Sequence, residues 1–180
     1  MRSAERGLIR AIAAVVEWLW HVDDRDHAIG RVERDEAHDR GLRHRSGIVF
    51  LLDAEQRAYL VVRAASKRIF PGRYDTSASF HVGYPESYAA AAHREAFEEL
   101  GLDKQLIEIG KFRHDDPPEH QFVGVFVMEH AGEPIVLDPS EAARGEFYRL
   151  EDAELIVRDE PCTPWLRDGI ALLVAYVRGA

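Results

Sequence analysis

The sequence predicts an α+β domain, a mixed sheet flanked by helices, on three observations. A hairpin signal runs from Ser46 to Arg63, with Asp53-Ala54-Glu55-Gln56 between two apolar runs. An alanine-rich helix follows the turn at Tyr84-Pro85 and stops at Gly101. A strong strand at Gln121 to Met128 then precedes a C-terminal helix that opens at Thr163-Pro164. Hairpins, one internal helix, more strands and a last helix do not make a regular βαβ alternation.

In chain order, residues 3–16 carry Leu8, Ile12, Val15 and Val16 close to one helical face. This is read as a packing extension, with its apolar face as a candidate surface for a homodimer. Arginines ahead of the apolar run 11–20 resemble a signal peptide. Glu5, Glu17 and the missing small-residue cleavage site argue for part of the folded protein instead. Trp18, Trp20 and Val22 alternate as a strand, and residues 29–32 return as a second one. A short helix is expected from Arg34 to Arg40, ended by Gly41. Strands are expected at 46–52, 58–63, 76–82, 106–113, 121–128 and 146–150. The segment Asp115-Asp116-Pro117-Pro118 reads as a hard break. Helices are expected at 151–157 and from Thr163 to about Val177.

The chain has 180 residues, enough for one domain with a substantial core. Its formal net charge of −9 argues against general nucleic-acid binding and against an anionic membrane surface. A single cysteine, Cys162, excludes an internal disulfide and a thiolate-rich metal site, and fits a cytoplasmic location.

Three constellations carry chemistry. On the internal helix, Glu95, Glu98 and Glu99 share an arc of roughly 100°, and Ala89, Ala96, Phe97 and Leu100 are expected to pack. Like charges at that spacing repel, so the cluster favours a hard divalent cation. Arg94 stands four residues before Glu98, placed to orient it, and Glu86 sits at the helix entrance. A basic loop with Arg63, Lys67, Arg68 and Arg73 is a candidate clamp for a diphosphate. A histidine set, His38, His44 and His81, is the third.

The run Glu86-x7-Arg94-Glu95-Ala96-Phe97-Glu98-Glu99-Leu100-Gly101-Leu102 resembles the Nudix box, with Phe80 where the family has its first glycine. That resemblance implies a Nudix-type α/β/α sandwich over residues 17–180 and hydrolysis of a pyrophosphate bond in a nucleoside diphosphate derivative or other organic diphosphate. It implies Mg²⁺ or Mn²⁺ held by Glu95, Glu98 and Glu99, with Glu86 in support. Glu98 and Arg94 would be catalytic, with a box glutamate or a loop acid, Glu146 or Glu141, as the base. Residues 34–44, 63–81 and 119–121 are similar to the branch related to isopentenyl-diphosphate isomerase. There, matching histidines with Glu119 imply a second metal site. Ser79 stands where that enzyme has its catalytic cysteine, and Gln121 where it has a second acid. Hydrolysis is therefore expected over isomerisation. A non-catalytic nucleotide-binding module is the remaining alternative, favoured by Phe80.

Overall fold

A computed structural model describes residues 16–117 and 119–179. The helix expected over 3–16 lies outside these residues except for Val16. Nine strands and four helices occur in the order β1 (Trp18–Val22), β2 (Ala28–Glu33), α1 (Arg34–Asp39), β3 (His44–Leu52), β4 (Ala58–Arg63), β5 (Tyr74–Asp75), β6 (Ala78–His81), α2 (Tyr88–Leu100), β7 (Leu106–Asp116), β8 (Glu119–Glu129), β9 (Ala142–Tyr148), α3 (Leu150–Asp159) and α4 (Pro164–Arg178).

Strand β3 is the hub. It runs parallel to β8 over its whole length, and antiparallel to β6 through Ser46–Val49 and to β4 at its end. β1 and β2 extend one margin, while β5 and β9 both pair with β4. The sheet is therefore mixed, as expected. Its two faces are both covered, which makes β3 a continuous buried run rather than an alternating one. Ile48, Phe50 and Leu52 face α3 and α4, together with Val123, Val125 and Val127 of β8. Val49 and Leu51 face α2, together with Phe126 and Met128.

The packing face of α2 differs from the expected one. Ala91, Ala92, Ala96 and Leu100 are buried, whereas Ala89, His93 and Phe97 are exposed. The inward arc is centred between Ala92 and Glu99, so the half-buried Glu95 and Glu99 sit inside it. Ser87 caps the helix by accepting the Ala90 N–H, and Gly101 ends it at φ 72°.

The strand expected at 146–150 begins four residues earlier and ends two earlier, at Ala142–Tyr148, and α3 begins at Leu150. Here β4 supplies the partner for a stretch with little strand propensity of its own. The break at 115–118 is narrower than expected. Asp115 and Asp116 remain paired in the β7–β8 hairpin, where Arg43 and Arg113 bond Asp115.

Candidate active site

Three histidines converge from three elements. His38 projects from α1, His44 opens β3 and His81 ends β6. Pairing places Ser46 beside His81 and His44 beside Gln121. The three ring centroids lie 5.0–5.2 Å apart. Among the described residues, this is the cluster of metal-ligating side chains whose donor atoms all lie within 4.8 Å of one another.

Hydrogen bonds fix two of the tautomers. His44 Nδ1 donates to the Leu42 carbonyl at 2.9 Å, which leaves a lone pair on Nε2. His38 Nδ1 faces Glu119 Oε1 at 2.9 Å and donates to it. Both Nε2 atoms are buried without a partner. Glu119 is braced in turn: its Oε2 accepts from Gln121 Nε2 at 2.7 Å, and Gln121 Oε1 accepts from Ser46 Oγ at 2.7 Å. Burial lowers His44 to about 4 and holds His81 well below the usual histidine range. Three imidazoles whose donor atoms lie within 4.8 Å of one another, one of them backed by a carboxylate, fit a divalent transition metal such as Mn²⁺.

His38 and His81 form part of the wall of a cavity of about 240 Å³. Its lining combines four basic residues, Arg34, Arg63, Lys67 and Arg68, with the apolar Ile48, Ile69, Val123 and Trp165 and with polar side chains that include Ser79 and Gln121. Arg63 is buried. Its Nη1 donates to Asp75 Oδ2 at 2.7 Å and to Ser79 Oγ at 3.3 Å, and its Nε donates to the Ile69 carbonyl at 3.3 Å. Lys67 Nζ pairs with Glu141. Arg73 is not on the lining; it reaches the Cys162 carbonyl at 3.4 Å and lies over the Phe70 ring. Arg34 was missed in the sequence. Its signal was present, one helical turn before His38, but it reads there as an ordinary helix-start charge.

The acidic helix packs on the other face of the sheet from α3 and α4, and none of its residues lines the cavity. Arg94 grips both oxygens of Glu86, at 2.8 Å each, and donates to Glu95 at 2.6 Å and Glu98 at 3.2 Å. Glu86 is thus a brace with both oxygens occupied, and Glu98 is the most exposed box acid, its side chain 54% accessible. Burial, reinforced by the charges of Glu141, Glu95 and Asp75, raises Glu99 well above the usual carboxylate range. Burial also raises Glu95, against the pull of Arg94. Two half-buried, mutually repelling carboxylates beside an exposed third fit a hard divalent cation, which would supply the missing positive charge.

Of the two loop acids, Glu141 is the one beside Glu99. Glu146 pairs across from Leu60, whose side chain belongs to the α3/α4 core, so Glu146 stands on the face away from α2. It is exposed and accepts from Tyr148 Oη at 3.3 Å. Phe80, in place of the box glycine, is an ordinary strand residue of β6, buried against Ala91, Ala92 and Ala96. Its ring covers Gly47, where an added Cβ would lie 2.5 Å from Phe80 Cζ.

The NUDIX domain model matches residues 42–166. The chain is 36% identical over 154 residues to a prenyl-diphosphate phosphatase of Methanosarcina mazei, covering 83% of this chain and 90% of that protein. It is 33% identical over 147 residues to an isopentenyl-diphosphate Delta-isomerase of Aromatoleum aromaticum, covering 79% of this chain and 77% of that one. A crystal structure of a Deinococcus radiodurans protein superposes with a TM-score of 0.76 at 24% identity, covering 86% of this chain and 98% of the other.

Proposed function

The chain belongs to the Nudix family, and from that premise we propose that it is a divalent-metal-dependent hydrolase of an organic diphosphate with an apolar tail. The observation that carries this reading is the cavity's lining, which brings four basic residues together with apolar ones. Arg34, Arg63, Lys67 and Arg68 suit a diphosphate, and Ile48, Ile69, Val123 and Trp165 suit a hydrocarbon better than a sugar. The Methanosarcina relative's name points the same way.

In this reading Glu95, Glu98 and Glu99 hold Mg²⁺ or Mn²⁺, and His38, His44 and His81, with Glu119 behind His38, hold a second ion. Bound metal supplies charge neutralisation of the diphosphate and a more acidic water. The side chains do the rest. Arg94 keeps Glu95 and Glu98 oriented, and the basic residues hold the two phosphoryl groups. Glu141, beside Glu99, takes the proton of the attacking water. The water oxygen bonds to the terminal phosphorus, the bridging P–O bond breaks, and a monophosphate leaves. Lys67, paired with Glu141, links the base to the phosphate end.

Ser79 supports hydrolysis over isomerisation. Its hydroxyl donates to Asp75 Oδ2 at 3.0 Å and accepts from Arg63, so the atom replacing a thiol is committed to the clamp. Serine is also a far weaker acid than cysteine.

Phosphate release from a short alkenyl diphosphate and from nucleoside diphosphate derivatives, with Mg²⁺ or Mn²⁺, tests the reading. The alkenyl compound is expected to be the better substrate, and Glu98→Gln to lower kcat/KM by about 100-fold, or roughly 3 kcal/mol in transition-state binding. Turnover that survives both this change and a chelator would sink the mechanism. Product NMR with isopentenyl diphosphate is expected to show no double-bond migration.

A further inference from the structure

Asp75 occurs in none of the three constellations the sequence displays, yet its carboxylate takes five hydrogen bonds directly behind Arg63 and Ser79 of the cavity lining. It is fully buried on the two-residue strand β5. Oδ1 accepts from Trp165 Nε1 at 2.6 Å, Thr163 Oγ1 at 2.9 Å and the Thr76 N–H at 2.8 Å. Oδ2 accepts from Arg63 Nη1 at 2.7 Å and Ser79 Oγ at 3.0 Å. A buried carboxylate is tolerated only when its charge is met by donors, and this one has five.

The two oxygens face different parts of the molecule. Oδ1 is occupied by the first residues of α4 and by the chain next to Asp75. Oδ2 is occupied by Arg63 and Ser79, which line the cavity. With Oδ1 held by three donors the carboxylate cannot rotate, and Oδ2 is fixed in place. Arg63 is then held at Nη1 by Asp75 and Ser79 and at Nε by the Ile69 carbonyl, while its Nη2 takes no hydrogen bond among the described residues. A guanidinium fixed on two sides with one nitrogen free is preorganised for an anion, because little side-chain freedom is left to lose on binding.

We infer that Asp75 is a positioning residue: it presents the Arg63 guanidinium to the diphosphate, and Trp165 of α4 with Thr163, the cap of that helix, holds it in place to do so. The inference rests on the diphosphate reading of the cavity and adds that its anion end is built from the C-terminal helix as well as from the basic loop.

The test is a double-mutant cycle on the full chain with Mg²⁺, reading by calorimetry the Kd of methylenediphosphonate, a non-hydrolysable headgroup. Asp75→Asn and Arg63→Met are each expected to weaken binding at least tenfold, and the double variant to be no weaker than Arg63→Met alone, since Asp75 acts through Arg63. Additive losses, or wild-type affinity in a folded Asp75→Asn protein, overturn the inference while leaving the diphosphate reading intact. A wild-type protein that does not bind the probe overturns both. Should Asp75→Asn fail to fold, Trp165→Phe decides, because it keeps an aromatic ring but loses the N–H. Binding weakened severalfold, with the melting temperature preserved, supports the inference; unchanged binding overturns it.

Discussion

His44 shows how much of the site is decided by single hydrogen bonds. Its Nδ1–H is committed to the Leu42 carbonyl, so its free nitrogen is a lone pair held ready and uncharged. The same burial has a cost on acidification. The folded pKa is about 4, below the unfolded value near 6.5, so the unfolded chain binds the proton first. Stability of the metal-free protein is therefore full above about pH 6.5 and falls as pH drops towards 4, by about 3 kcal/mol for His44 alone. His81 is displaced in the same direction. Urea titrations of chelator-treated protein across that range check this; a His44→Gln variant should show a shallower loss. Gly47 is a second single-residue determinant. Gly47→Ala pushes a methyl into the Phe80 ring and is expected to destabilise by ~1–3 kcal/mol, with Phe80→Ala relieving much of that in the double variant. The box acids were legible because a helix repeats at short range, so their spacing is their geometry. The Gly47–Phe80 contact and the Asp75 bonds were not. The Gly47–Phe80 contact and the bonds of Asp75 to Thr163 and Trp165 join residues 33 to 90 positions apart, and Asp75 in sequence is one more acid after a glycine turn.

At the scale of elements, α2 carries Glu95, Glu98 and Glu99, the acids of the Nudix box. Its first turn contains no acidic residue to complement the dipole, so the Ser87 cap matters more than usual. Ser87→Ala is expected to cost about 1 kcal/mol of unfolding free energy, and to speed amide exchange at Ala90 and Ala91 ahead of the rest of the helix. An exchange profile unchanged in that first turn would contradict the assignment. Element identity was largely readable, since β3, β4 and β8 are rich in branched and aromatic residues and α4 announces itself with Thr163-Pro164. The rotation of α2 was misjudged because Phe97 is apolar and Glu95 and Glu99 are charged, and hydropathy alone turns the helix to bury Phe97. The structure instead exposes Phe97 and sinks the two glutamates, an arrangement that makes sense for carboxylates kept for a cation.

For the molecule as a whole, the sheet with helices on both faces serves as a partition. The acidic helix lies against one face, and the cavity opens on the other beside α4, with Glu141, Lys67 and Asp75 spanning the margin between them. The α+β class was legible from the order of elements, but the partition was not, because it depends on β3 pairing in parallel with β8 some 70 residues later. Among the described residues no helix is long and apolar enough to cross a membrane. The two-faced arrangement also means that removing either metal group should be separable. His81→Ala is expected to lower bound Mn²⁺ by one equivalent in equilibrium dialysis, and Glu98→Gln to lower the other, each with little effect on its counterpart.

The bonds from Thr163 and Trp165 to Asp75 also bear on synthesis at the ribosome. When the first 160 residues have been made, all the histidines of the cluster, every box acid and the whole basic loop already exist. What they lack is one wall of the cavity and two of the donors that hold the Asp75 carboxylate. A nascent chain of that length carries the histidines and the box acids without the Thr163 and Trp165 donors that complete the bonds to Asp75. The catalyst would become competent only as its final helix emerges and docks.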